Sequence, residues 1–154
     1  QLVNGGKKLT PNIYYSDSKN DKNKIPILLA AQSHLKIILK AMDDATNARK
    51  GTSYSSRIIG ENKMGGKTGT SQVRSISSKE REEGIIKNKD LPWNKRDHGL
   101  FVGFGPINNP KYAISVVIEH GGSGSSSAAP IASRILKYMF SKKLNINRKK
   151  LLNV

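Results

Sequence analysis

The chain has 154 residues and no cysteine, with 27 Lys and Arg against 11 Asp and Glu and a formal net charge of +16. That length suits one domain with a real core and is too short for two ordinary ones. The lack of cysteine excludes disulfides and thiolate metal sites and leaves the redox compartment unread. No apolar run reaches the length of a membrane span, and no signal-peptide pattern opens the chain. A first residue of Gln1 instead of Met points to a piece of a longer protein. The positive charge favours polyanions such as a wall polymer, a membrane surface or nucleic acid. It is scattered instead of striped, however, and a Lys-, Asn- and Ile-rich codon bias accounts for it more simply.

In chain order, residues 1–12 read as an apolar start, a Gly5-Gly6 turn and a Leu9-Thr10-Pro11 exit. Residues 16–24 are polar throughout and read as an exposed loop, followed by a short apolar run from Pro26 to Ala31 of undetermined state. The spacing of Leu35, Ile38, Leu39, Met42 and Ala45 predicts a helix over 33–49, with Ser33 as its N-cap and Gly51 placed to stop it.

Met64 to Val73 is the stretch around which the rest is organised. Its centre, Lys67-Thr68-Gly69-Thr70, sets a cation, two hydroxyls and a bare backbone in four consecutive positions. In an extended chain, Lys67 and Gly69 point to one face and Thr68 and Thr70 to the other. A strand edge so furnished suits an extended anionic peptide. Its backbone pairs with the guest chain, Gly69 allows close approach, and the hydroxyl and ammonium donors hold a carboxylate. The alternative is an edge strand with solvated Lys and Thr.

Residues 74–97 form a long polar connection without a sustained period, with Trp93 as its packing anchor. Leu100, Val102 and Phe104 alternate with Phe101, Gly103 and Gly105, which predicts a strand whose flat glycines let a helix lie close. Asn108-Asn109-Pro110 makes a turn into a second strand, Tyr112 to Glu119, so that the two form an antiparallel hairpin. Gly121 to Ser127 is a Gly/Ser turn. Pro130 sits in the first turn of a closing helix over 128–141, with Ala128, Ala132, Ile135 and Met139 on one side. The basic tail, 142–154, is expected to fray.

Lys67-Thr68-Gly69-Thr70 resembles the third signature of the serine acyl-transferases that include penicillin-binding proteins and serine β-lactamases. The run Asp97-His98-Gly99-Leu100-Phe101-Val102-Gly103-Phe104-Gly105-Pro106 continues the resemblance. Asn109-Pro110-Lys111-Tyr112-Ala113, Glu119-His120-Gly121-Gly122 and Gln1-Leu2-Val3-Asn4-Gly5-Gly6-Lys7 add to it. Together they resemble the C-terminal part of a class B penicillin-binding protein transpeptidase domain, most like the penicillin-binding protein 2 type. The resemblance implies an α/β fold of the α+β kind, an antiparallel sheet flanked by helices, with residues 1–141 as the C-terminal portion of that domain. It implies D,D-transpeptidation by acyl-serine chemistry in the intact protein, without a cofactor or metal. Lys67 would stabilise anionic groups, Thr68 and Thr70 would hold the substrate carboxylate beside Gly69, and the Thr70 N–H would help form the oxyanion hole. The implied partners are the D-Ala-D-Ala stem peptide, β-lactams and a membrane-embedded glycan polymerase. The implied setting is the periplasmic face of the bacterial inner membrane, with the anchor outside this chain.

The family also needs a serine followed one turn later by lysine. Ser16-Asp17-Ser18-Lys19 matches, but in a polar loop that overlaps Ser18-Lys19-Asn20. Ser33-His34-Leu35-Lys36 opens a helix, yet only about thirty residues part it from Lys67, too few for the helical subdomain that carries Ser-x-Asn. Ser33 is read as a cap and the nucleophile as absent from this chain. Gly60 to Thr68 nearly spells a phosphate-binding loop, but Glu61 stands where its first glycine belongs and would repel phosphate. His34, His98 and His120 are too dispersed for a metal and read as structural. Asp97-His98 could orient something at a cleft rim, and Glu119 reads as a charge at a sheet edge. A non-catalytic basic module binding nucleic acid or wall polymer, or a non-catalytic structural fragment, stays as the alternative. Nucleic acid is disfavoured because no aromatics interleave the basic tail.

Overall fold

The computed structural model describes residues 1–8 and 32–141. The sequence readings at Leu9-Thr10-Pro11, 16–24, Pro26 to Ala31 and 142–154 lie outside the described residues. Three strands form one antiparallel sheet in the order β1 (Gly65–Ser71), β2 (His98–Gly105), β3 (Tyr112–Ile118). Lys67 stands opposite Val102 and Gly69 opposite Leu100, while Phe101 faces Thr68 on one side and Val116 on the other. The hairpin expected from the alternating pattern is present. Both of its strands end within one residue of the expected bounds.

Alternation on β2 divides the core between the two faces of the sheet. On one face, Phe101 packs with Ile58, Met64, Ala128, Ala129, Ala132 and Leu136, bordered by Ile114, Val116 and Ile118 of β3. The helices here are α1 (Gln32–Asn47), α2 (Ser78–Glu83) and α3 (Ala128–Ser141), and α3 covers the Phe101 face. The other face carries Phe104 beneath α1. A Cβ on Gly65 would come within 3.0 Å of the Phe104 ring and 3.5 Å of the Asp43 backbone nitrogen.

The glycines of the sheet make room for side chains more than for a helix. A Cβ at Gly66 or Gly103 would stand 2.2 or 2.7 Å from the Phe101 ring, and one at Gly105 would stand 2.6 Å from that of Phe140. The flat positions are therefore seats for these two rings.

Helix α1 already includes Gln32, so Ser33 lies within its first turn and is not the capping residue. Its buried residues are Leu35 and Thr46, and Ile38 is exposed. On α3 the expected Ala128 and Ala132 are fully buried, together with Ala129, Ser133 and Leu136, whereas Ile135 is exposed. Ile135 is one position from Leu136, about 100° around a helix, which accounts for its misassignment to the buried side.

The 74–97 connection is more structured than its composition suggests. Ser77 caps α2 by accepting the Glu80 N–H, and single turns of 3₁₀ helix follow at Asn88–Asp90 and Trp93–Lys95. Among the described residues no helix is long and apolar enough to cross a membrane.

Candidate active site

Strand β1 is an outer strand of the three-stranded sheet, so alternate N–H and C=O groups along it point away from β2. Buried Gly65 and Gly66 hold its first half against Phe104 and Phe101, while Lys67 to Ser71 emerge half-buried or exposed. As the sequence anticipates, Thr68 and Thr70 pair with Phe101 and Gly99 and so share the α3 face, whereas Lys67 and Gly69 face the other way. Lys67 Nζ donates to the Thr68 carbonyl at 2.7 Å, and Thr68 Oγ1 donates to Thr52 Oγ1 at 3.2 Å. A cation, two hydroxyls and an open backbone edge are thus brought together, a set of donors suited to a carboxylate or an oxyanion.

The Gly/Ser turn leads into α3 and braces β1 on the face that carries Thr68 and Thr70, since a Cβ on Gly99, the partner of Thr70, would meet Ser127 Oγ at 2.1 Å. A Cβ on Gly124 would stand 2.4 Å from the Gly69 carbonyl oxygen and 2.1 Å from that of Leu100. Gly124 also accepts the N–H groups of Ala128 at 3.2 Å and Ala129 at 2.8 Å, so the same residue starts α3.

Beyond Ser71 the chain enters an ion-paired connection. Arg74 makes two hydrogen bonds to the Glu80 carboxylate, at 2.6 and 2.5 Å, with the two side chains only 20% and 17% exposed. The Arg74 guanidinium, helped by the Ile86 N–H, holds the Glu80 carboxyl down at about 2. Asp97 accepts from the Val73 N–H at 3.2 Å and from Asn88 Nδ2 at 2.9 Å, and its own N–H donates to Asn88 Oδ1 at 2.8 Å. Its carbonyl takes the Gly122 N–H at 2.8 Å. A cavity of about 350 Å³ opens here, lined by Gln72, Arg74, Ile86, Asn88 and Asp97 among others.

The other sequence candidates fall apart from this edge or into structural roles. His98 Nδ1 accepts the His120 N–H at 2.8 Å, and His120 Nδ1 donates to the Arg96 carbonyl at 3.0 Å. His120 has φ +54, a left-handed conformation fixed by these two bonds. Trp93 is 62% exposed and touches the His120 ring edge-on at 4.5 Å, a lighter contact than a packing anchor. Gly65, Gly66 and Lys67 are strand residues, so they cannot form the glycine-rich loop that would cradle a phosphate. Ser33 and Lys36 are both exposed on α1, and no hydrogen bond joins them. His34 and Glu119 are exposed. The sequence reading passed over Thr52 and Arg74–Glu80. A hydroxyl flanked by Gly51 and Ser53 at a helix end was the one signal for Thr52.

Residues 1–137 match the family model described as the penicillin binding protein transpeptidase domain. The peptidoglycan D,D-transpeptidase MrdA of Salmonella typhimurium is 32% identical over 148 residues, which are 90% of this chain and 23% of the relative. That of Haemophilus influenzae is 29% identical over 150 residues, 93% of this chain and 22% of the relative. The chain therefore spans less than a quarter of these relatives. Among solved structures, Pseudomonas aeruginosa PBP2 in complex with WCK 5153 superposes with a TM-score of 0.65 at 26% identity, over 92% of this chain and 28% of that one. The Helicobacter pylori PBP2 of a PBP2–MreC complex gives a TM-score of 0.60 at 24% identity, over 80% and 20%, a likeness of fold.

Proposed function

Because this chain belongs to the penicillin-binding protein transpeptidase domain family, we propose that it supplies the substrate-binding wall of a peptidoglycan D,D-transpeptidase. Its nucleophilic serine would come from sequence outside this chain. The observation that carries this reading is the open edge of β1, where Lys67, Thr68, Gly69 and Thr70 stand on a strand held by Phe101 and Phe104.

In this reading a D-Ala-D-Ala stem peptide lies along the β1 edge, its terminal carboxylate held by Thr68 and Thr70 and by the field of Lys67. The serine oxygen attacks the carbonyl between the two D-Ala residues. The oxyanion that forms takes the Thr70 N–H as one of its donors. Its collapse breaks the peptide bond, passes a proton to the leaving amine and releases D-Ala. An amine of a neighbouring stem then attacks the acyl-serine and restores the hydroxyl. β-Lactams enter the same path, since opening the ring leaves no departing fragment and the acyl-serine persists. The intact protein would work on the periplasmic face of the inner membrane beside a membrane-embedded glycan polymerase. In this reading residues 1–141 would belong to the catalytic domain.

Intact-mass spectrometry after incubation with a penicillin tests this reading. The protein with its upstream sequence should gain one penicillin, and Lys67→Ala should lower the rate of gain by about a hundredfold, as for loss of one charge-stabilising group. The 154-residue chain alone should gain nothing. A stoichiometric adduct on that chain, lost in Ser33→Ala, would place the nucleophile at Ser33 instead. No adduct on the longer protein, together with steeply salt-dependent binding to nucleic acid, would favour a basic binding module.

A further inference from the structure

Thr52 owes its position to a turn that is fixed on both sides. Gly51 lies so close to α1 that a Cβ would stand 2.5 Å from the carbonyl oxygens of both Asp44 and Ala45. Its N–H donates to the Ala48 carbonyl at 2.8 Å. On the other side, the fully buried Ser53 donates both its N–H and its hydroxyl to the Ala45 carbonyl, each at 3.0 Å. Its Oγ also lies 3.3 Å from Thr46 Oγ1, and the Tyr54 N–H closes the turn on the Gly51 carbonyl at 3.1 Å. Asn47 Nδ2 ties the end of α1 to β1 through the Met64 carbonyl at 2.9 Å. Between these anchors Thr52 is exposed, and its one hydrogen-bond partner among the described residues is Thr68, Oγ1 to Oγ1 at 3.2 Å.

A hydroxyl has one proton to give and two lone pairs that accept. A Thr68 that holds a substrate carboxylate must give its proton to that carboxylate. Its oxygen is then free to accept, and the Thr52 hydroxyl stands within reach. A chain running from Thr52 O–H to Thr68 Oγ1, and from Thr68 O–H to the carboxylate, polarises both bonds in one direction. We propose that Thr52 is a positioning residue for the substrate carboxylate, which orients the Thr68 hydroxyl and strengthens it as a donor. The pair reverses polarity on binding: Thr68 donates to Thr52 in the free protein and accepts from it in the complex. This role rests on the transpeptidase reading.

The test measures acylation rates on the protein with its upstream sequence, for a penicillin and for its methyl ester, which lacks the anionic carboxylate. Thr52→Val should slow acylation by the free acid about tenfold, the effect of one cooperative hydrogen bond. The slower reaction with the ester should not change. Thr52→Ser, which restores the hydroxyl, should recover most of the loss. In a Thr68→Ala background Thr52→Val should cost nothing further, because the chain is already broken. Wild-type acylation in Thr52→Val, or equal losses for acid and ester, would overturn the role of Thr52 and leave the transpeptidase reading standing. A wild-type protein that is not acylated at all would overturn both.

Discussion

Replacing Gly124 by alanine should unseat the turn that braces the candidate substrate strand. The added Cβ would stand 2.1 Å from the Leu100 oxygen, 2.4 Å from the Gly69 oxygen and 3.1 Å from the Gly69 nitrogen. All three are backbone atoms of the central β1–β2 pairing, so no side chain can swing aside. To reach ordinary contact the turn must retreat by roughly an ångström, and a packed interior resists such a shift. The retreat would pull on the Ala128 and Ala129 N–H groups that Gly124 accepts, and hence on the first turn of α3. Overpacking of this kind costs about 1–3 kcal/mol, and contact with fixed backbone puts Gly124→Ala near the upper end. For a domain of this size that corresponds to a fall in Tm of about 5–10 °C. Thermal unfolding followed by circular dichroism would measure it, with Ser126→Ala, an exposed position on the same turn, as the control that should barely move. In the protein with its upstream sequence, penicillin acylation should slow in Gly124→Ala, since Gly69 lies within the strand the turn supports. Unchanged Tm and unchanged acylation would refute the idea that the turn bears on β1.

Phe101→Ala should cost about 3–5 kcal/mol in chemical denaturation, because the ring is fully buried and fills the space above Gly66 and Gly103. An unchanged midpoint would mean that this core does not hold the sheet. Glu80 should make the connection after β1 sensitive to acid. Its folded carboxyl titrates at about 2 against an ordinary value of 4.5, held down chiefly by the hydrogen bonds from Arg74. The stabilisation is therefore fully present above the ordinary value and is lost as pH falls from 4.5 through about 2. Protection of residues 77–86 against hydrogen exchange, taken relative to the intrinsic rate at each pH, should fall over that window in wild-type protein. In Glu80→Gln that protection should start lower and depend less on the acid, and parallel curves would exclude the pair as the source.

The hairpin was legible because its signals are local and mutually consistent: alternating Leu100 to Gly105, the Asn108-Asn109-Pro110 turn, and a run of β-formers after it. The face on which Lys67 and Thr68 each lie was legible for the same reason, since alternation in a strand needs no tertiary information. The place of Ile135 on α3 was less so, because Leu136 and Ile135 are equally apolar and only the position of Phe101 decides between them. Structure in the 74–97 connection was hidden because it depends on polar pairs at no helical or strand spacing, Arg74 with Glu80 six positions on and Asp97 with Asn88 and Val73, nine and twenty-four positions back. Polar composition alone reads as a loop when the order comes from matched hydrogen bonds instead of buried carbon. Thr52 was missed on the same ground, since its partner lies sixteen positions on, in β1.

Asp97 has a consequence of a mechanical kind. Its carboxylate holds the end of β1 through Val73 and the connection through Asn88, while its carbonyl holds the Gly/Ser turn through Gly122. Three segments far apart in the chain thus meet at one residue that itself leads into β2. A displacement of the outer connection would therefore act, through Asp97, on the end of β1 and on the turn that carries Gly124 together.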